Sequence, residues 1–180
     1  IQLLLNIIVL MGKPTGGARP IALMPMLYRL WTKIRKGEIL KWDELHTGPW
    51  DAAIRGSSAL RAAILGTFHD EVASINGQMV ADVLRGVEKF YDYIDIIKLS
   101  KKAAETQHPL LIFALGMQMH MATRALKAYD ANLICNLPKN GIIAGCMQSN
   151  FMARVLLFAT MSTVANSVPH YIRSFVDDIR

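Results

Sequence analysis

The sequence predicts an α+β fold in which short strands pack against several helices. Apolar residues recur at helical spacing in several segments, and short apolar runs bounded by Gly, Pro or Asn separate those segments. The 180 residues are 52% hydrophobic and 19% charged, which is enough for one domain with a real core and excludes a disordered chain.

The first part of the chain predicts a hairpin followed by two helices. Residues 3–10 are mostly apolar and read as a buried strand, and residues 19–23 read as the returning strand after a Gly-rich loop. Four apolar residues at helical spacing predict a helix over residues 24–36. Residues 42–51 are polar and predicted to be irregular. Ser57 or Ser58 is expected to cap a helix that runs to about residue 75.

The middle of the chain predicts one strand and two helices. Asn76 and Gly77 form a turn signal, and residues 78–84 follow it as a plausible strand. Residues 89–105 and 110–128 are predicted to be helical. Three methionines of the second segment suggest soft-metal binding only superficially, since Met commonly fills gaps in a helical core.

The last part of the chain predicts a turn, a long helix and a final strand. The turn precedes residues 142–146, Ser149 or Asn150 caps a helix to residue 164, and residues 171–176 form the strand. Residues 155–172 form a long stretch without acidic or basic residues, and its apolar part is shorter than the roughly 20 residues of a membrane helix. No membrane association is therefore expected. Residues 3–11 lack a charged leader and a cleavage site, so no signal peptide is predicted.

Charge and cysteine content indicate the class of partner and the compartment. The net charge of +6 and the pI near 9.5 favour a polyanionic partner, nucleic acid first. Cys135 and Cys146 do not fall in a metal-ligand spacing, and reduced thiols in an intracellular compartment, nuclear or cytoplasmic, are expected. The histidines show no metal spacing and are read as surface or satisfied core residues: His46, His69, His108, His120 and His170.

The adjacent acids Asp177 and Asp178 follow the last predicted strand. Two like charges side by side repel each other unless a cation lies between them, and Mg²⁺ prefers oxygen ligands and bridges carboxylates to phosphates. A metal site is one reading of this pair. A solvated acidic turn is the alternative.

Four motifs stand in a fixed order along the chain. They are a basic Gly-rich hairpin at 12–23 (GKPTGGARPIAL), an aromatic and acidic segment at 83–94 (VLRGVEKFYDYI), a Gly-rich turn at 141–149 (GIIAGCMQS) and the acids at 175–178 (FVDD). In that order they resemble the reverse transcriptases, the RNA-directed DNA polymerases of retroelements. The resemblance is closest to elements that lack long terminal repeats and to their group II intron relatives.

The resemblance implies a polymerase right-hand fold. Fingers would occupy about residues 1–80 and a palm about residues 81–180, with a small antiparallel sheet packed on helices and the thumb absent. It also implies an RNA template, a DNA primer, deoxynucleoside triphosphates and a site for two Mg²⁺ or Mn²⁺ ions. It leaves the oligomeric state open.

The same resemblance assigns roles to individual residues. Lys13 and Arg19 would hold the triphosphate, which suits the point charge of Lys and the bidentate fork of Arg. Tyr91 would block the ribose 2′-OH, and Gly145 with Ser149 would line the contact with template and nucleotide. Many family members carry Gln at the position of Ala144. Taken singly, these motifs also fit a surface hairpin, ordinary core aromatics and an ordinary helix-capping turn.

Gly86 is a departure from the family pattern. Asp177 and Asp178 would bind metal, and the first palm Asp is expected five residues before Tyr91, where this chain has Gly86. On a strand, Asp82 would lie about 13 Å away and Glu88 about 6.6 Å away, so neither replaces the ligand well. Weak or absent polymerase activity is predicted, and the missing thumb argues against processive synthesis.

Two further functions remain open. A non-catalytic RNA- or DNA-binding remnant of a retroelement protein would keep the basic surface without the chemistry. A structural helical protein without a ligand is the third reading. The basic residues of the second reading, which would otherwise be solvated helix faces, are Arg29, Lys33, Arg35, Lys36, Lys41, Lys101, Lys102, Arg124 and Lys127.

Overall fold

A computed structural model describes residues 4–14, 16–54, 56–81, 85–128, 131–135, 138, 140–167, 172–175 and 178–179. It confirms the α+β class. The chain forms two compact units, Ile1–Leu45 with Lys89–Leu156 and His46–Glu88 with Leu157–Arg180. The predicted boundary between fingers and palm near residue 80 stays a prediction.

The elements in chain order are β1 Leu5–Gly12, β2 Ala18–Leu23, α1 Met26–Ile34, α2 Lys36–Leu45, α3 Ala59–Ile75, β3 Arg85–Gly86, a 3-10 helix Phe90–Tyr93, α4 Ile96–Glu105, α5 Leu110–His120, β4 Thr123–Ala128, β5 Ala131–Cys135, α6 Ser149–Ser167, β6 Ser174–Phe175 and β7 Asp178–Ile179.

The sheet of the first unit has the strand order β2-β1-β4-β5. β1 runs antiparallel to β2 and parallel to β4, and β4 runs antiparallel to β5. The sheet is therefore mixed, and the prediction of an antiparallel sheet is wrong for this unit. The helix predicted over residues 110–128 ends at His120, because residues 123–128 pair with β1, more than a hundred residues earlier in the chain.

The predicted hairpin is confirmed. Gly12 pairs with Ala18 across a tight loop, in which the amide of Lys13 donates to the carbonyl of Gly17 at 3.0 Å. Gly16 and Gly17 have φ angles of 89° and 82°, in the region that favours glycine. The loop geometry therefore depends on these two glycines.

The core of the first unit forms where α2, α4, α5 and α6 meet. Its buried members are Trp42, Ile94, Leu99, Ala103, Phe113, Met117, Ile142, Met152 and Val155. The indole of Trp42 donates to the carbonyl of Thr106 at 2.8 Å. This anchor explains why α2 runs to Leu45, and the prediction of irregular structure from residue 42 is wrong for the first four residues. Met117 and Met119 are buried, in agreement with the core interpretation of the methionines, whereas Met121 is exposed.

The helix predicted over residues 89–105 is interrupted. Residues 90–93 form a 3-10 helix, and α4 begins only after Asp95, whose carboxylate accepts from the amides of Ile97 at 2.8 Å and Lys98 at 3.0 Å. α3 begins directly after its predicted cap, whereas α6 includes the predicted cap Ser149, whose hydroxyl donates to the carbonyl of Ile143. Ser58 accepts from the amide of Arg61 at 3.1 Å, and α6 begins at Ser149 and extends three residues further than predicted.

The second unit contains a small antiparallel sheet of order β3-β7-β6. Residues 78–81 are not in a strand, so the strand predicted over 78–84 is wrong there, and residues 82–84 lie outside the described part. Only Ser174 and Phe175 of the strand predicted over 171–176 are in a described strand. Ser174 anchors it, since its amide donates to the carbonyl of Trp50 at 2.7 Å and its carbonyl accepts from Ala52 at 2.8 Å.

One buried ion pair joins α2 to α6 in the first unit. The guanidinium of Arg154 donates to the carboxylate of Asp43, and both side chains are largely buried. Burial lowers the pKa of Arg154 from its usual value. A buried charge that loses its partner is strongly destabilising, so the pair ties the two helices together.

Asp43→Ala is expected to lower the free energy of unfolding by about 3–5 kcal/mol, because it removes the carboxylate that compensates the buried charge of Arg154. The matched control is Glu38→Ala, which removes the exposed pair with Arg35 and should cost at most about 1 kcal/mol. Urea unfolding measures both. Equal small losses for the two variants would contradict the expected role of the buried pair.

Candidate functional site

The sheet of the second unit places position 86 beside the second of the paired acids. Gly86 on β3 is directly opposite Asp178 on β7, and Asp178 is also opposite Phe175 on β6. Side chains of opposed residues in antiparallel strands share a face, with Cβ atoms about 4.5–5.5 Å apart. Position 86 therefore lies directly opposite position 178 in the backbone register of this sheet.

The metal-binding role of the acids stays a prediction. Asp177 lies outside the described residues, as does the side chain of Asp178. Of the substitutes weighed for the missing ligand, Asp82 is also outside the described part and Glu88 is exposed. Within the described ranges, no group of three or more His, Cys, Asp or Glu side chains is placed to hold a metal ion.

In the first unit, the structure brings Tyr91 to the Gly-rich motif. The carbonyl of Tyr91 accepts from the amide of Ile142 at 2.8 Å, and the carbonyl of Ile94 accepts from the amide of Gly141 at 2.8 Å. The hydroxyl of Tyr91 donates to the side-chain oxygen of Asn150, the second residue of α6, at 2.8 Å. Two motifs that lie fifty residues apart in the sequence thus form one cluster.

Gly141 makes this contact possible. Its φ is 84°, and a Cβ atom there would lie 2.7 Å from the carbonyl oxygen of Asp92 and 3.0 Å from its Cα. Real Cβ atoms do not approach backbone this closely, so only glycine fits. Gly145 has a similar φ of 86°, but open space surrounds its Cβ position.

The two predicted contact residues of the motif have different environments. The hydroxyl of Ser149 is fully buried and donates to the carbonyl of Ile143 at 2.6 Å, so it braces the segment from inside. Ala144 and Gly145 are exposed. Cys146 is buried against the hydroxyl of Tyr28 at 3.5 Å, and burial raises the pKa of both groups. A ligand would meet the Ala144–Gly145 backbone first, and the nucleotide contact itself stays a prediction.

The hairpin carries the predicted triphosphate contacts. Lys13 is exposed at the start of the loop, and Arg19 lies on β2 opposite Met11. The side chain of Arg19 lies outside the described part of the chain. The phosphate contact stays a prediction.

His120 is a site residue that the sequence reading did not single out. It is the last residue of α5 and is fully buried, and its Nδ1 accepts from the amide of Ile143 at 2.9 Å. Burial first, and then the charge of Arg124, lower its pKa from 6.5 to about 3. Only the fold reveals this contact, since the two residues are 23 positions apart. The nearby Asn6 donates to the carbonyl of Met119 at 2.7 Å. The sequence does single out this residue, because it is polar and interrupts the apolar run of β1.

Comparisons with known proteins support the fold. No family model matches the sequence, and no curated protein matches it. Among solved structures, apo telomerase from Candida tropicalis, truncated from its C-terminal domain, matches with a TM-score of 0.65 and 17% identity. The match covers 99% of this chain and 43% of that chain, so this chain spans less than half the length of its neighbour. At this identity the likeness shows a shared fold and nothing further. Among the described helices, none is long and apolar enough to cross a membrane.

Gly141→Ala is expected to destabilise the protein more than Gly145→Ala. Both place a side chain at positive φ, at a cost of about 1–2 kcal/mol. Gly141→Ala adds a clash with backbone atoms of Asp92, worth about 1–3 kcal/mol more. Urea unfolding of the two variants checks the difference, and equal losses would show that the close approach does not exist.

Proposed function

We propose that this chain is the fingers and palm of a reverse-transcriptase-like nucleotidyltransferase whose catalysis is impaired at Gly86. The observation that carries the proposal is the pairing of Gly86 with Asp178, since the register puts the departure from the family pattern opposite the second of the paired acids. The fold shared with telomerase, a reverse transcriptase, and the order of the four motifs support it.

The proposed chemistry is two-metal phosphoryl transfer. One ion activates the 3′-hydroxyl of the primer, the other neutralises the leaving pyrophosphate, and the two lie about 3.5–4 Å apart. Carboxylates from two strands suit this spacing, and β3 with β7 would supply them. With glycine at position 86, one strand contributes no ligand, so Asp177 and Asp178 would hold Mg²⁺ or Mn²⁺ alone.

The first unit would supply the nucleotide contacts. Lys13 and Arg19 would hold the triphosphate of a deoxynucleotide, and the exposed backbone at Gly145 would face the template and nucleotide. Tyr91 would select against a ribose 2′-OH. Its hydrogen bond to Asn150 supports this role, because it fixes the ring in one orientation.

The proposed partners are an RNA template and a DNA primer. The net charge of +6 supports a polyanionic partner. The basic residues considered above are exposed or half-buried, and four of the exposed ones, Arg29, Lys33, Lys36 and Lys41, lie on α1 and α2. We propose an intracellular location, because the spacing of Cys135 and Cys146 favours reduced thiols.

A second candidate is a nucleic-acid-binding remnant without catalysis. Gly86 itself favours this candidate, because a lost metal ligand removes chemistry and leaves phosphate contacts intact. This candidate predicts that the affinity for nucleic acid falls as the salt concentration rises. The slope of log K against log[salt] would be about −0.9 for each phosphate contact on a duplex.

Single-nucleotide incorporation onto a short primer–template tests the leading proposal, because one addition does not depend on processivity. Wild type is expected to show little or no Mg²⁺-dependent incorporation, and Gly86→Asp is expected to raise it at least about tenfold by restoring a bridging carboxylate. Gly86→Asn is the control for side-chain size without charge.

Efficient incorporation by wild type that Gly86→Asp does not improve would overturn the impaired-site proposal. Binding of the same duplex is measured in parallel across a range of salt concentrations. Salt-dependent binding with no incorporation by any variant would favour the non-catalytic candidate. If the protein neither binds the duplex nor incorporates a nucleotide, the third interpretation, a structural helical protein without a ligand, is favoured.

A further inference from the structure

His120 is a buried titratable residue to which the proposed function gives no role. Its Nδ1 accepts the hydrogen bond from Ile143, so this nitrogen carries no proton and the ring is the neutral tautomer with its proton on Nε2. Within the part of the chain that the structure describes, Nε2 has no hydrogen-bond partner. The ring thus serves as an acceptor for one backbone amide.

That amide belongs to a run of three inward-pointing donors. The amides of Gly141, Ile142 and Ile143 donate in turn to the carbonyl of Ile94, the carbonyl of Tyr91 and the ring of His120. The carbonyl of Ile143 accepts from the hydroxyl of Ser149 at 2.6 Å. Both polar groups of Ile143 are therefore held by buried side chains.

The exposed part of the motif begins directly after this point. Residues 141–143 are buried, whereas Ala144 and Gly145 are exposed. Because hydrogen bonds hold both the amide and the carbonyl of Ile143, they also fix the direction in which the chain leaves the core. If the chain left the core in another direction, the Gly145 backbone would move, because the next residue with a backbone hydrogen bond is Cys146.

We propose that His120 is a positioning residue that sets the conformation of the Ala144–Gly145 backbone for contact with the template and the incoming nucleotide. This inference rests on the proposed function, which assigns that contact to the motif. His120 itself touches no substrate in this account and acts through Ile143.

The electrostatic surroundings keep the ring in its accepting form. Arg124, at the start of β4, donates to the backbone carbonyl of His120 at 3.1 Å, and its charge adds to burial in disfavouring a second proton on the ring. The pKa of about 3 is far below the value of 6.5 in an unfolded chain. The unfolded state therefore takes up a proton below pH 6.5 that the folded state refuses, and stability falls as pH drops from 6.5 towards 3.

The test compares His120→Asn with His120→Leu in the full chain. The side chains of Asn and Leu have the same number of non-hydrogen atoms and the same branching, but only Asn keeps an acceptor at the position of Nδ1. Amide hydrogen exchange at Ile143 reports the contact. The affinity of the complementary deoxynucleoside triphosphate in the presence of a primer–template duplex reports the function.

His120→Asn is expected to keep the protection of the Ile143 amide and to change the nucleotide affinity less than about threefold. His120→Leu is expected to lose the protection and to weaken nucleotide affinity at least about tenfold, with the affinity for the duplex alone unchanged in both. The pH dependence of stability between 6.5 and 4 should flatten in both variants.

Equal protection and equal nucleotide affinity in the two variants would overturn the positioning role. If wild type binds the duplex but no nucleotide, the proposed nucleotide site fails. Even then, hydrogen exchange of the Ile143 amide shows independently whether His120 holds the backbone at Ile143.

Discussion

The close approach of Gly141 to the backbone of Asp92 is the constraint on which the first unit depends. The missing Cβ lets the chain at 141–143 lie against the 3-10 helix at 90–93, so that two backbone hydrogen bonds of 2.8 Å form between them. Ile142 and Ile94 then enter the same core cluster. His120 and Ser149 complete the arrangement from the other side. A side chain at position 141 would push the segment 141–143 away from the 3-10 helix.

The second unit carries a constraint of a different kind, the register of three short strands. Pairing of Gly86 with Asp178 defines which positions of β3 and β7 are neighbours. If β3 shifted by one residue relative to β7, a side chain introduced at position 86 would point to the opposite face of the sheet. In the proposed function, the same register puts the position of the absent ligand opposite Asp178. A protein with this sheet can retain the fold and its basic surface while losing the chemistry.

Local signals predicted local structure well, and long-range contacts account for the errors. The hairpin with Gly16 and Gly17, the Ser58 cap and the start of α6 at Ser149 follow from neighbouring residues. The strand β4 was predicted as a helix because its apolar pattern fits both periods, and only pairing with β1 decides between them. In the candidate site, the motifs were visible in the sequence, but the contact of His120 with Ile143 was not, because the fold brings together two residues that are 23 positions apart.

The central claim is that position 86 is a vacant metal-ligand position beside Asp178. Electron paramagnetic resonance of bound Mn²⁺ tests it most directly, because two ions about 3.5–4 Å apart couple magnetically and a single ion does not. The account predicts uncoupled, weakly bound Mn²⁺ in wild type and in Gly86→Asn, and a coupled pair in Gly86→Asp. A coupled pair already present in wild type, or no added ion in Gly86→Asp, would contradict it.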